Sequence, residues 1–186
     1  SPDSKRLATG SYDNRAKVWD AVAGEELLTL SDHNASVESV AWSPDGKLVA
    51  TGSDDRTTKV WEAATGKGLR TLIGHTERLS SLAWSPDGKR LATASGDKTT
   101  KLWDAATGKE LLTLTGHIDS VKSVAWSPDT KRLASASEDG TIQVYAMDVH
   151  DLMALARQRV TAHPSEEGCK KYLHVDKCPP VPELSF

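Results

Sequence analysis

Histidine, hydroxyl and aspartate side chains occur together three times along this chain, each time at the same spacing. The first set is His33, Thr51 and Asp55, and equivalent sets follow at intervals of 42 residues. A hydroxyl, an imidazole and a carboxylate in hydrogen-bonding order are the components of a hydrolase triad. A nucleophilic site is needed once, whereas these sets repeat. The repetition favours a buried structural network in which hydrogen bonds satisfy each carboxylate.

An aromatic residue follows each set, and a further set near the start of the chain lacks its histidine. The predicted network members are His33, Thr51, Asp55 and Trp61; His75, Thr93, Asp97 and Trp103; His117, Ser135, Asp139 and Tyr145; and Thr9, Asp13 and Trp19. The strand hydroxyl could instead be Ser53, Ser95 or Ser137, because residues two positions apart share a strand face.

The elements that position these sets repeat with the same period. Trp19, Trp61 and Trp103 form one ladder, Trp42, Trp84 and Trp126 form another, and Ser-Pro-Asp begins at 1, 43, 85 and 127. Such a period indicates a solenoid, a propeller or an array. Each full unit is predicted to contain four short strands joined by tight turns. One such turn is Ser43-Pro44-Asp45-Gly46, since Pro and Gly favour its second and fourth positions.

Further motifs mark the unit boundaries. Gly74-His75 comes before Trp103-Asp104, Gly116-His117 comes before Tyr145-Ala146, and Thr93-Ala94-Ser95-Gly96-Asp97-Lys98-Thr99 fills a strand connection. Together these motifs resemble WD40 repeats over residues 1–146, with approximate repeats at 1–42, 43–84, 85–126 and 127–146. The resemblance implies an all-β fold, a propeller of four-stranded blades around a channel. Asp32-His33 and Tyr145-Ala146 depart from the Gly-His and Trp-Asp pairs of the family.

The strand pattern predicts about three and a half blades, because unit one lacks its first strand and unit four ends after its third. The resemblance implies a ring of about seven blades. We therefore expect a C-terminal fragment of a longer propeller, with the missing half supplied by upstream sequence or by self-association. Open blade faces and unpaired strand edges predict aggregation or self-association of the isolated chain.

The resemblance also implies where a partner docks, namely the top face, where each innermost strand begins. The exposed family positions are the third and fifth residues after each histidine and the residue before each network aspartate. They correspond to Tyr12, Ser36, Glu38, Asp54, Arg78, Ser80, Gly96, Ser120, Lys122 and Glu138. Their mixed charges indicate a polar protein or peptide partner; alternatively, each is a solvated rim residue. Lys17, Lys59 and Lys101 are predicted to mark a solvated face.

Composition restricts the functional classes. The chain has 186 residues and a net charge of −3, so a broad nucleic-acid surface is not expected. No apolar run approaches the roughly 18 residues that cross a membrane. Residues 1–3 are Ser-Pro-Asp, without an apolar leader, and we expect a signal peptide to be absent or removed and the location to be cytoplasmic. No cofactor is predicted.

Residues 147–186 are predicted to form a helical tail with an extended, proline-rich end. Apolar residues recur at helical spacing from Val149 to Val160, and Pro164 ends the pattern. Cys169, His174 and Cys178 lie close in sequence and could hold zinc with a fourth ligand, could include a disulfide, or could leave ordinary thiols. We predict no metal site.

Residues 144–161, Cys169-Lys170-Lys171-Tyr172-Leu173-His174 and Cys178-Pro179-Pro180 resemble the C-terminal tails of large bacterial WD40 proteins. Such proteins commonly carry an NB-ARC or NACHT type NTPase, a Ser/Thr kinase or a caspase-like domain. The resemblance implies a non-catalytic interaction or sensing scaffold within a larger bacterial regulatory protein. A self-assembling structural repeat is the alternative, and a hydrolase is less favoured.

Overall fold

A computed structural model describes residues 1–147, and this part of the chain is all β. Four antiparallel sheets follow one another in sequence, with three, four, four and three strands. The strands are β1 (Arg6–Gly10), β2 (Ala16–Asp20), β3 (Glu26–Leu30), β4 (Val37–Trp42), β5 (Leu48–Ser53), β6 (Thr57–Glu62), β7 (Gly68–Ile73), β8 (Leu79–Trp84), β9 (Arg90–Ser95), β10 (Thr100–Asp104), β11 (Glu110–Leu114), β12 (Val121–Trp126), β13 (Arg132–Ser137) and β14 (Ile142–Ala146). Both the fold class and the strand pattern predicted from the sequence are confirmed.

Tight turns keep consecutive strands adjacent within each sheet. In the β4–β5 turn, Gly46 N–H donates to Ser43 O at 2.9 Å, and Gly46 has a φ of 70°. Glycine reaches this left-handed region without the steric cost that a Cβ imposes. The equivalent positions in the first and fourth units are Ser4 and Thr130, with φ values of 58° and 63°. The turn geometry is therefore retained where the favoured residue is replaced.

Apolar side chains between neighbouring sheets form the core. Ala50 and Val60 of the second sheet pack with Leu82, Leu91 and Trp103 of the third. Equivalent clusters join the first sheet to the second and the third to the fourth. Each internal sheet thus buries both faces only because it has a neighbour on each side, as expected for stacked blades.

Tryptophans at the ends of the inner strands also join the blades. Trp84 Nε1–H donates to Ala41 O at 3.2 Å, and Trp126 Nε1–H donates to Ala83 O at 3.1 Å. Trp42 Nε1 is buried without a hydrogen-bond partner among residues 1–147, because the first sheet has no inner strand to supply the carbonyl. Two arginines add cation–π contacts between sheets, Arg6 over Trp42 and Arg90 over Trp126.

The outer faces of the first and fourth sheets expose residues whose counterparts are buried. Leu7 is 57% exposed, whereas Val49, at the same position of the second unit, is 0% exposed. Val144 is 62% exposed, whereas its counterpart Val60 is 2% exposed. Two apolar blade faces are consequently left without a covering sheet in the described part of the chain.

The prediction of one solvated lysine face needs correction. Lys101 is buried, and its ammonium donates to Glu110 Oε2 at 3.0 Å and to Thr113 Oγ1 at 2.7 Å. The acceptors on the adjacent strand allow the aliphatic stem to pack while the charge stays compensated. Lys17 and Lys59 also form ion pairs, with Glu26 and Asp32.

Other predictions fall on residues that the structure does not describe. The helix from Val149, the proline-rich end and the cluster of Cys169, His174 and Cys178 all lie outside residues 1–147. Within the described range there is no helix long and apolar enough to cross a membrane.

Candidate functional site

A chain of hydrogen bonds in the second blade links strands β5 and β6, the loop before β4 and the turn after β5. Trp61 Nε1–H donates to Thr51 Oγ1 at 2.9 Å. His33 Nε2 lies 2.7 Å from the same hydroxyl, and His33 Nδ1 lies 2.8 Å from Asp55 Oδ2. Because an ionised carboxylate only accepts, Nδ1 carries the proton and Nε2 accepts from the Thr51 hydroxyl. Every donor and acceptor along this chain is then matched.

The Asp55 carboxylate is held by several donors at once. Oδ2 also accepts from Asn34 N–H, and Oδ1 accepts from Thr57 N–H and from the Thr57 hydroxyl. Burial alone would raise the pKa of Asp55, but the hydrogen bonds from Thr57, Asn34 and His33 outweigh it and lower the pKa to about 2. Burial also lowers the pKa of His33, against the opposing hydrogen bond to Asp55. The pair therefore consists of a carboxylate and a neutral imidazole at neutral pH.

The third blade repeats this arrangement closely. Trp103 Nε1–H donates to Thr93 Oγ1 at 2.8 Å, His75 Nε2 lies 2.8 Å from that oxygen, and His75 Nδ1 lies 2.7 Å from Asp97 Oδ2. Burial opposes ionisation of Asp97, but the hydrogen bonds from His75 and Thr99 hold its pKa well below the usual range. The same balance of desolvation and donors therefore recurs one unit later.

The fourth blade keeps three of the four members. His117 lies 2.8 Å from Ser135 Oγ and 2.9 Å from Asp139 Oδ2. The Tyr145 hydroxyl donates to Gln143 Oε1 at 2.6 Å and does not continue the chain to Ser135. An indole carries its donor on the flank of the ring system, whereas a phenol carries it at the far end. The prediction that Tyr145 completes the fourth set is therefore wrong, because its hydroxyl donates to Gln143 and not to Ser135.

In the first blade, only the hydrogen bond between the tryptophan and the threonine of the set is present. Trp19 Nε1–H donates to Thr9 Oγ1 at 2.9 Å, as in the complete sets. Asp13 is exposed, and its side chain accepts from Arg15 N–H at 3.0 Å. No histidine reaches Asp13 in the described range, as expected from the missing inner strand.

The alternative strand hydroxyls have a different role. Ser53 Oγ donates to Ala35 O and accepts from Asp55 N–H, so it ties the loop before the inner strand to the turn after β5. Ser95 and Ser137 make the equivalent bonds in the third and fourth blades. The hydroxyl that meets the histidine is accordingly that of Thr51, Thr93 or Ser135.

The hydroxyl, imidazole and carboxylate are connected as in a hydrolase triad, but the hydroxyl cannot be approached. Thr51 and Thr93 are 0% exposed and Ser135 is 1% exposed. In two of the sets the hydroxyl oxygen is also occupied by an indole N–H. A nucleophile needs an open path to its substrate beside oxyanion donors. The geometry suits a structural connection between strands.

Several of the predicted top-face residues line one polar pocket of about 330 Å³. Its lining comes from all four sheets and consists of Tyr12, Glu38, Asp54, Arg78, Leu79, Ser80 and Lys122. We refer to this set as the top-face pocket. It lies at the ends of the sheets where the inner strands begin and where the turns that follow β1 and β5 lie. Six of the seven residues were predicted from the sequence, and Leu79 was not.

Three pocket residues owe their placement to a repeated irregularity of the inner strands. The pairing of β4 with β5 passes from Val37 to Ser39, so Glu38 stands opposite no partner. Ser80 and Lys122 hold the same position in β8 and β12. A bulge redirects the side chain of the extra residue and is common beside functional sites. These bulges turn one side chain per blade toward the pocket.

The remaining predicted top-face residues support the rim. Ser36 O accepts from Asp54 N–H, Arg78 O accepts from Gly96 N–H, and Ser120 O accepts from Glu138 N–H, each at 2.9 Å. Glu138 also forms an ion pair of 2.9 Å with Lys122. Ser36, Gly96, Ser120 and Glu138 are not among the pocket-lining residues. Their backbone bonds fix the turns on which the pocket side chains stand.

Comparison with known proteins follows the same repeats. Residues 1–20, 24–62, 66–104 and 108–146 match the WD40 family, described as WD domain, G-beta repeat. Because these matches cover well over half of the chain, the protein belongs to the WD40 family. Its four sheets are the propeller blades of that family, in agreement with the resemblance seen in the sequence.

Individual relatives align with this chain over about the length of one repeat. One is "Ribosome assembly protein 4" of Chaetomium thermophilum, 50% identical over 40 residues, which are 22% of this chain and 8% of that protein. "Protein FIZZY-RELATED 2" of Arabidopsis thaliana is 42% identical over 43 residues, 23% of this chain and 9% of that protein. "Dynein assembly factor with WD repeat domains 1" of Mus musculus is 51% identical over 35 residues, 19% of this chain and 8% of that protein. The alignments thus span about a tenth or less of these relatives.

The hydrogen-bond chains predict unequal effects of two equivalent aspartate substitutions. Asp97→Ala should lower the free energy of unfolding by about 1–3 kcal/mol, because it leaves buried donors without an acceptor. Asp13→Ala is the matched control and should change stability by less than about 0.5 kcal/mol, since Asp13 is exposed. Denaturant titration monitored by tryptophan fluorescence measures both. Equal effects of the two substitutions would contradict the structural role of the complete sets.

Acid should destabilise the second blade in two steps. The pKa of His33 is depressed below 6.5 by folding, so the unfolded chain binds the extra proton and stability is lost as the pH falls below 6.5. The pKa of Asp55 falls from 3.8 to about 2 on folding, so its contribution is present above pH 3.8 and is lost toward pH 2. Urea midpoints between pH 7.5 and 2 test both steps. In His33→Gln, the urea midpoint should fall less as the pH decreases below 6.5. A decrease as steep as in the parent chain would contradict the assignment of this step to His33.

Proposed function

We propose that this chain is a non-catalytic scaffold that binds a protein or peptide through the top-face pocket. One observation carries the proposal: side chains from four consecutive blades meet at one pocket, on turns and strand ends held by repeated hydrogen bonds. Binding residues placed on a rigid framework lose little entropy when a partner docks. WD40 domains are generally interaction scaffolds without enzymatic activity, which supports the same assignment.

The biological setting is a further part of this proposal. The resemblance of residues 144–161 and of the following Cys-Lys-Lys-Tyr-Leu-His run supports a place in a larger bacterial regulatory protein, in the cytoplasm. The net charge of −3 supports a partner that is neither nucleic acid nor a membrane surface. Reading the coding sequence upstream of residue 1 tests the setting. A sequence without an NTPase, kinase or caspase-like domain would contradict it.

Panning a random-peptide display library on the full chain tests binding at the top-face pocket. Peptides recovered on the parent chain should bind Tyr12→Ala and Arg78→Ala at least about tenfold more weakly, because both residues line the pocket and both types are common interface anchors. The control is Val22→Ala, which removes apolar area from a residue that is 93% exposed and lies in the turn after β2.

Two results would contradict this function. One is the recovery of no peptide, and the other is a set of peptides whose affinity is unchanged by both pocket substitutions. Near-ultraviolet circular dichroism of the tryptophans establishes that each variant retains the blade packing. Weaker binding by folded pocket variants, with unchanged binding by the control, supports the proposal.

The exposed end faces favour a second candidate, a self-assembling repeat protein. Leu7 on the first sheet and Ile142 and Val144 on the fourth are 57%, 71% and 62% exposed. An apolar face of one copy could cover that of another in a head-to-tail contact. A hydrolase has less support, because the three candidate hydroxyls are buried.

Light scattering over a dilution series tests self-assembly. The parent chain should show a mass above the 20.0 kDa of one copy, and Val144→Lys should shift it toward one copy by charging the exposed face. Val22→Lys adds the same charge in an exposed turn and is the control. A monodisperse parent chain of one-copy mass, with a cooperative melting transition, would contradict this candidate.

A further inference from the structure

We infer that the top-face pocket binds a cationic side chain, an arginine or a lysine of a partner peptide, between the carboxylates of Glu38 and Asp54 and the ring of Tyr12. The inference rests on the proposed function and specifies the chemistry of the partner. It follows from which charges in the pocket are already paired within the protein and which are not.

The acidic side of the pocket lacks internal partners. Asp54 Oδ1 is buried and has no hydrogen-bond partner in residues 1–147. The Asp54 side chain as a whole has no hydrogen bond or ion pair with the described residues, so its negative charge is uncompensated among them and a cation beside the carboxylate stabilises it. Glu38, at the bulge of the same blade, has no side-chain hydrogen bond or ion pair with the described residues, in contrast to Lys122 at the equivalent bulge.

An aromatic ring from the neighbouring first blade lines the same pocket. Tyr12 follows the first strand of blade one, lines the pocket and is 82% exposed. Exposed tyrosine offers a ring face that attracts ammonium and guanidinium groups, while carboxylates supply hydrogen-bond acceptors. Two carboxylates and an aromatic ring in one pocket are groups that attract a cation.

The basic side of the pocket is partly compensated. Lys122 forms an ion pair with Glu138 at 2.9 Å, so its charge is already balanced. Arg78 in the third blade has no side-chain hydrogen bond or ion pair within residues 1–147 and is free to meet an acceptor. The uncompensated charges are therefore two carboxylates on blade two and one guanidinium on blade three. A partner segment with a basic residue near an acidic one complements this order.

Sequencing the peptides recovered from a random display library on the full chain tests the inference. The peptides should share an arginine or lysine, and replacing it with glutamine should weaken binding about tenfold or more, the loss expected for one charge-assisted hydrogen bond. Glu38→Gln and Asp54→Asn should weaken binding of the peptides recovered on the parent chain to a similar extent, since each substitution removes one charge with little change in shape. Glu38→Lys should select peptides enriched in acidic residues at the corresponding position.

Glu25→Gln is the matched control, because Glu25 lies in the turn between β2 and β3 and not in the pocket. It should leave peptide affinity unchanged. Two results would overturn the inference while leaving the scaffold function standing. In the first, the peptides bind Tyr12→Ala and Arg78→Ala more weakly but share no basic residue. In the second, their affinity is unaffected by Glu38→Gln and Asp54→Asn. Recovery of no peptide would overturn both.

Discussion

No sheet of four short strands can bury both of its faces by itself, and the rest of this structure follows from that constraint. Each blade gains its core from the next, as Ala50 and Val60 do from Leu82 and Trp103. The same need sets the sequence period, because every unit must present complementary faces to two neighbours. It also explains why Leu7 and Val144 are exposed while their counterparts are buried.

The hydrogen-bond chains hold the turns and loops at the top face of the stacked blades in fixed positions. In each complete set, an indole, a hydroxyl, an imidazole and a carboxylate connect the second and third strands of the blade, the turn between them and the loop before the inner strand. Their matched donors and acceptors leave one low-energy arrangement of the turn. The residue before the aspartate and the bulged residue of the inner strand then project from a rigid base, where Asp54 and Glu38 line the pocket.

The sequence predicted most of the fold because its signals repeat. The 42-residue period, the Ser-Pro-Asp turns and the tryptophan ladders gave the blades and the incomplete first and last sheets. The repeating hydrogen-bonded sets were also predictable, whereas the choice of Thr51 over Ser53 needed coordinates, because both lie on one strand face. The burial of Lys101 depends on Glu110 and Thr113 across the strand, and the hydrogen bond of Tyr145 depends on where a phenol carries its donor. The unsatisfied Asp54 Oδ1 is a feature of three-dimensional packing that no spacing encodes.

The bulge in each inner strand places a pocket residue outside the strand pairing that the fold requires. Glu38, Ser80 and Lys122 occupy the same backbone position in three blades, yet they differ in charge and size, and the pairing on either side of them is the same. A residue outside the ladder can be exchanged without disturbing the ladder. The charge pattern of the pocket can therefore evolve by single substitutions, one per blade, on an architecture that stays constant. Neighbouring repeats of nearly identical sequence can in this way present a surface with no symmetry.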